Sequence, residues 1–241
     1  VEKNKFKEYL GKGLAYLEIP NTEKTSEQLW EYMHFLIEEN QKYNLTAIED
    51  PREIIIKHFL DSLALLKEER FLPGERVIDI GTGAGFPGLV LKLYQPEIQL
   101  VLVDSLSKRI GFLDELITRF ELKDVQTIHG RAEDLGSDQN YRGSFNWVLS
   151  RAVAPVNILS EYTLPFAQTG GITVFYKGPD YLKELEEGKR AIYLLGGEIQ
   201  KIKRINLPEM VEERYLLFIK KIGNTPAKYP RRAGIPKKRP L

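Results

Sequence analysis

The chain of 241 residues contains no cysteine. That removes disulfides, thiolate metal sites and any cysteine nucleophile. Histidine is nearly as scarce. His34, His58 and His129 are scattered, with no spacing that would place metal ligands together, so no metal is expected. Long apolar runs are missing as well. No stretch approaches the roughly 18 apolar residues of a membrane span. The first twenty residues are charged throughout and lack an apolar signal core, so a cytoplasmic location with no membrane attachment is expected. Asn44-Leu45-Thr46 matches a glycosylation acceptor, but in that setting it has no route to modification. At 42% hydrophobic and 29% charged, the composition is that of a globular chain long enough for one α/β unit with an extension.

Acidic residues are absent from 224–241, where Lys228, Arg231, Arg232, Lys237, Lys238 and Arg239 lie. The whole chain nets only +1, so the remainder is net acidic and this tail is the electropositive element. Pro226, Pro230, Pro236 and Pro240 exclude a regular helix or a central strand there and leave an extended segment. A basic run of this kind suits nucleic acid.

Arg76-Val77-Ile78-Asp79-Ile80-Gly81-Thr82-Gly83-Ala84-Gly85-Phe86-Pro87-Gly88 joins an apolar strand to a glycine turn and a helix. Glycines at alternate positions allow positive φ and close approach to a ligand, and Pro87 suits a first helical turn. A dinucleotide fingerprint counted from Gly81 meets Phe86 where it needs glycine; counted from Gly83 it fits, but leaves Gly81 and Thr82 inside the strand. The frame Asp79-x-Gly81-x-Gly83-x-Gly85 resembles the first motif of S-adenosylmethionine (SAM) methyltransferases. Downstream, Leu100-Val101-Leu102-Val103-Asp104 reads as a buried parallel strand ending in a carboxylate able to hold ribose hydroxyls, a geometry that serves NAD and SAM alike. An NAD-linked oxidoreductase is the alternative that this leaves open.

Helical spacing of Leu29, Trp30, Met33, Leu36 and Ile37 predicts an amphipathic helix over 26–43, capped by Thr25 or Ser26. Asp50-Pro51-Arg52-Glu53 predicts a second start, with Asp50 as cap and Glu53 bonding back to it. His58 and Asp61, three apart, share a face of that largely apolar helix. From Arg76 strands and helices alternate, which implies a doubly wound parallel sheet. The last strands, 198–206 and 214–222, follow without a helical crossover and are expected to pair antiparallel. The expected fold is α/β, a Rossmann-like seven-stranded sheet of the class I SAM-dependent methyltransferase kind, with a terminal antiparallel pair. Its regions are an N-terminal helical extension over 1–70 packed on the core, a SAM-binding core over 71–223, and the basic proline-containing tail over 224–241.

After the fourth strand stands Ser150-Arg151-Ala152, where enzymes that methylate exocyclic amines commonly carry Asn/Asp-Pro-Pro-Tyr. Covalent cytosine C5 methylation needs a cysteine, so both of those classes recede. Arg151 suits anionic ligand groups or nucleic acid, or else a salt bridge to a nearby acid.

The chain resembles the bacterial small-subunit rRNA guanine-N7 methyltransferases, the RsmG or GidB (glucose-inhibited division protein B) family. The resemblance runs through Asn44-Leu45-Thr46, His58-Phe59-Leu60-Asp61-Ser62, Asp79 to Gly88, Val103-Asp104-Ser105 with Lys108-Arg109, Arg131-Ala132-Glu133, Ser150-Arg151-Ala152, Tyr176-Lys177-Gly178 and Tyr229 to Pro236. It implies SAM as donor with S-adenosyl-L-homocysteine as product, small-subunit (16S) rRNA or the assembled subunit as substrate, and N7 of one guanine as acceptor. Gly81, Phe86, Ala132, Glu133 and Arg151 carry over as SAM contacts. Asp79, Gly83, Gly85, Asp104 and Ser105 join them from the motif reading. Arg151, Lys177, His58 and Asp61 are candidates to position the substrate, and the six tail cations are candidates for RNA. No general base is needed, and a monomer is expected. The rival from another class is a non-catalytic SAM-binding module that docks on rRNA.

Overall fold

The computed structural model describes residues 2–241. Seven strands form its sheet: β1 (Arg76–Ile80), β2 (Gln99–Asp104), β3 (Val125–His129), β4 (Phe145–Arg151), β5 (Ala167–Lys177), β6 (Gly197–Ile205) and β7 (Arg214–Lys221). Their order is β3-β2-β1-β4-β5-β7-β6. The first five are parallel, with Ile78 opposite Val101 on one side and Val148 on the other. β7 slots between β5 and β6 and runs antiparallel to both, so the closing pair forms as its short connection requires.

Side-chain parity divides the core. Leu100 and Leu102 of β2 face one side, together with Val77, Leu149 and Phe218. Val101 and Val103 face the other, with Ile78, Ile80 and Val148. On the first side lie α1 (Lys3–Leu17), α2 (Glu23–Tyr43), α6 (Gly88–Tyr94) and α7 (Ser107–Arg119); the helical extension is part of the main core. On the second lie α8 (Ala132–Leu135), α9 (Val156–Thr163) and α10 (Tyr181–Leu194).

α2 begins three residues before the expected start because Thr22, and neither Thr25 nor Ser26, is its cap. Its hydroxyl accepts from the Thr25 N–H, and the Thr25 hydroxyl accepts from the Thr22 N–H. Asp50 caps the next helical segment, but the Glu53 carboxylate pairs with Lys57 and does not bond back to the cap. That segment opens as α3 (Pro51–Glu53) and widens into a π-helix over Ile54–Leu60. It then returns to α geometry in α4 (Asp61–Leu63) and α5 (Leu65–Glu68). Widened turns of this sort recur at functional sites. This one carries His58 and delivers Asp61. The tail is more ordered than its prolines predict: it follows the protein surface as a strap and closes with a one-turn helix, α11 (Ile235–Lys238), which Pro236 enters in the first turn.

Candidate active site

At the carboxyl end of β1, Gly81, Gly83 and Gly85 all take positive φ, at 72°, 61° and 97°. Asp79 holds this turn together from below. Its Oδ2 accepts from the Thr82 hydroxyl at 2.8 Å and the Gly88 N–H at 2.9 Å, tying the first helical residue back to the strand. Asp79 is wholly buried, and burial pushes its carboxyl up to about 6 in spite of those bonds and of Arg151. A Cβ on Gly85 would overlap the Tyr32 hydroxyl, which donates to the Ala84 carbonyl. Phe86 is stacked by Tyr32 at 5.5 Å and by His58 at 4.4 Å, with Phe59 tilted against it at 6.0 Å and the Arg151 guanidinium over its ring at 5.2 Å. Helix α2 of the extension therefore braces the glycine turn.

Two cavities open at this end of the sheet. The first, about 350 Å³, is lined by Gly81, Asp104, Ser105, Ala132 and Glu133, with Arg109 and Tyr162 on its walls. Asp104 serves the loop as well as the cavity. Its Oδ2 accepts from the Gly83 N–H at 2.9 Å and from Arg109 at 3.1 Å, while Oδ1 accepts from the Leu106 N–H. Arg109 also reaches Oδ1, at 3.5 Å, the longest of the four contacts and the one that a ribose hydroxyl would replace.

The second cavity, about 500 Å³, gathers His58, Asp61, Arg151 and Lys177, and adds Glu184 and Arg214. Arg151 is its hub. Nη1 donates to Asp61 Oδ2 at 2.7 Å and to the Lys57 carbonyl at 3.0 Å, and Nη2 lies 3.3 Å from His58 Nδ1. The salt bridge weighed for Arg151 is thus present, within the cavity. Asp61 is only 1% exposed, and its Oδ1 has no hydrogen-bond partner; Arg214 Nε, equally unpartnered, stands 3.9 Å away. Burial first, and then the Arg151 charge, pull the His58 imidazole down to about 3. A neutral ring facing an arginine accepts at Nδ1, so Nε2–H donates to the Thr46 hydroxyl at 2.9 Å. Burial also lowers Lys177, whose ammonium bonds Glu184 and the Ala154 carbonyl, both at 2.6 Å. Glu184 in turn accepts from the Val156 N–H.

That staple sets the loop separating the cavities. Ala152 takes a positive φ of 56°, Val153 sits on Gly81 where a Cβ would collide with it, and both residues line both cavities.

The sequence-derived cofactor residues therefore fall into two groups. Gly81, Asp104, Ser105, Ala132 and Glu133 line the first cavity, and Arg151 lines the second. Asp79, Gly83, Gly85 and Phe86 line neither; Gly83 and Gly85 belong to the glycine turn itself, and Asp79 and Phe86 are buried beneath it. Among the tail cations, Lys228, Arg232, Lys237, Lys238 and Arg239 are exposed, whereas Arg231 is drawn inward onto buried Glu161 at 2.6 Å and is withdrawn from the surface. Among the described residues no group of three or more His, Asp or Glu side chains could hold a metal ion, and no helix is long and apolar enough to cross a membrane.

The family model described as rRNA small subunit methyltransferase G matches residues 25–214. The chain belongs to that family. It is 46% identical over 235 residues to the ribosomal RNA small subunit methyltransferase G of Alkaliphilus oremlandii, a match covering 98% of each chain. To the protein of the same name from Desulfitobacterium hafniense it is 48% identical over 210 residues, covering 87% of each. Among solved structures it is similar to TYW2 of P. horikoshii, crystallised in complex with MeSAdo, with a TM-score of 0.54 and 16% identity over 68% of this chain and 62% of that one. TrmN from Thermus thermophilus gives a TM-score of 0.53 and 17% identity over 68% and 48%. At those identities the likeness shows the fold alone, the class I methyltransferase fold.

Within this member of the methyltransferase G family, sequence reasoning missed Glu161, Glu184 and Arg214, and quoted Arg109 in a motif without giving it a role. Arg109 had a usable signal, lying one helical turn into the helix that follows Asp104. The other three had none, because their partners are more than twenty residues distant or, for Glu184, seven residues back across a strand-to-helix turn.

Proposed function

We propose that this chain transfers a methyl group from SAM to N7 of one guanine in small-subunit rRNA, and that one copy suffices because a single chain carries both cavities. The observation that carries this reading is their meeting at Ala152 and Val153, beside the glycine turn. The first cavity fits the nucleoside half of the cofactor, with Asp104 and Ser105 toward the ribose and Ala132 and Glu133 toward the adenine. Arg151 fits the carboxylate at the other end.

When bound, SAM supplies a methyl group on a positively charged sulfur. The carbon–sulfur bond breaks as the carbon–N7 bond forms, the positive charge passes to the base, and S-adenosyl-L-homocysteine leaves neutral at sulfur. Guanine N7 has a lone pair and no proton to lose, so the protein supplies alignment and shelter from water instead of a base. His58 fits that requirement: held neutral down to about 3 and bonded at both nitrogens, it is a fixed spacer between Thr46 and Arg151.

The test is labelled-methyl transfer to small subunits, and separately to naked small-subunit rRNA, from cells lacking this protein, followed by nucleoside analysis. The expected product is 7-methylguanosine. Label on a ribose or an exocyclic amine would overturn the acceptor assignment, and tight SAM binding with no transfer to either substrate would favour the docking module. In single turnover with bound substrate, the rate is expected to be nearly flat from about pH 6.5 to 8.5, below the guanine N1 titration. A tenfold rise per pH unit would mean proton abstraction.

A further inference from the structure

The strap over 224–241 joins two features that the cofactor and RNA readings treat separately. Arg142 fixes its start, donating to the carbonyls of Thr225 and Tyr229, each at 2.7 Å. Its middle is latched by Arg231. The Arg231 backbone N–H donates to Glu161 Oε1 at 2.7 Å and its Nη2 to Oε2 at 2.6 Å, and Glu161 is 0% exposed. A bidentate pair with a wholly buried carboxylate is directional and does not slide. Its end is a wall: the Gly234 N–H donates to Glu133 Oε1 at 2.9 Å, and Gly234 and Lys237 line the nucleoside cavity beside Tyr162, the residue that follows Glu161 on α9. Gly234 takes one oxygen of Glu133, leaving the other oxygen for a donor on the cofactor. Arg232, Lys238 and Arg239 on the same short segment are exposed.

We propose that the strap is the closing wall of the cofactor cavity, that Arg231 and Glu161 are the positioning residues that latch it, and that RNA phosphates on its exposed cations tighten cofactor binding. The last clause rests on the reading that those cations meet RNA. An RNA that favours the latched strap raises the affinity for the cofactor, and the cofactor raises the affinity for that RNA by the same factor, by thermodynamic reciprocity.

The experiment uses the full chain and S-adenosyl-L-homocysteine in calorimetry, with and without a small-subunit rRNA transcript. The pair Arg231→Met with Glu161→Gln removes the latch without leaving a lone buried charge. It is expected to weaken binding about tenfold without RNA, the scale of one charge-assisted hydrogen bond. Glu133→Ala is expected to weaken binding too, and adding the latch changes to it should do little more, since both act through one contact; a purely structural strap would give additive losses. The transcript is expected to tighten binding about fivefold or more in the natural protein and not in the latch variant. Natural affinity in the latch variant, additivity with Glu133→Ala, or unaltered RNA coupling would each overturn the proposal. Should the double variant not unfold cooperatively, Arg231→Lys takes its place, with an intermediate loss expected and natural affinity counting against the latch. A natural protein that binds no S-adenosyl-L-homocysteine at all would instead remove the cofactor reading, and this proposal with it.

Discussion

On one side of Val153, a wall of the smaller cavity is the glycine turn, which the buried carboxylates of Asp79 and Asp104 hold in shape. On the other side, the groups come from the π-helix and α4, β4, β5, α10 and β7. The first wall is backbone held by two buried carboxylates. The second is a set of charged side chains, each oriented by another from a distant element. A wall of backbone responds mainly to steric change, whereas a wall of mutually paired charges responds mainly to the loss of a partner.

The largest effect is expected on the charged wall. Arg151→Ala leaves Asp61 buried beside an arginine too far away to bond it, and should lower stability in urea by about 3–5 kcal/mol. Arg151→Lys should recover only part, because an ammonium cannot reproduce the fork to Asp61, the Lys57 carbonyl and His58. A natural urea midpoint for Arg151→Ala would mean that the hub is not what holds this wall.

The backbone wall should break sterically instead. Gly85→Ala combines a left-handed φ with overlap on Tyr32, and is expected to cost about 2–4 kcal/mol. Gly83→Ala faces open space, so only the φ penalty of about 1 kcal/mol remains. Equal losses at the two positions would show that α2 yields and does not brace the turn.

Asp104→Ala should remove about 1.5–3 kcal/mol of affinity for S-adenosyl-L-homocysteine, measured by calorimetry. Unchanged affinity in a folded variant would leave Asp104 as a loop support only.

A last effect separates the walls by pH. His58 falls from an ordinary 6.5 to about 3 in the folded protein, so its contribution is complete above pH 6.5 and is lost as acidification carries the pH down toward 3. Asp79 is raised from 3.8 to about 6, so its contribution is greatest below 3.8 and is lost as the pH rises toward 6. Between pH 4 and 6 the two oppose each other. In His58→Asn, the Asp79 slope should therefore stand alone, with the urea midpoint rising as pH falls from 6 to 4 relative to its course in the natural protein. Parallel curves for the two proteins would show that His58 does not carry the acid sensitivity.

The chain order of strands and helices, the glycine turn, the acid at the end of β2 and the closing antiparallel pair were legible in sequence because each depends on near neighbours. Periodicity marks a buried strand, alternate glycines mark a turn, and a short connection dictates antiparallel pairing. The same local reading placed Asp79 and Phe86 at the right turn but could not say that they lie beneath it. A motif fixes spacing along the chain, whereas the direction of a side chain depends on what packs against it.

Tertiary structure alone decided three matters. Tyr32 and Phe59 meet Phe86 only because the extension folds over the same sheet face as α6. Arg214 reaches the second cavity only because β7 inserts between β5 and β6. Arg231, read from sequence as one of six equivalent cations, is set apart from the other five because Glu161, seventy residues earlier, is buried without solvent to hold its charge. By itself the sequence determined the turn, the strand-end acid and the charge of the strap. Which of those charges face solvent, and which turns inward, follows from burial, because an ion removed from water must find its partner wherever the fold has put one.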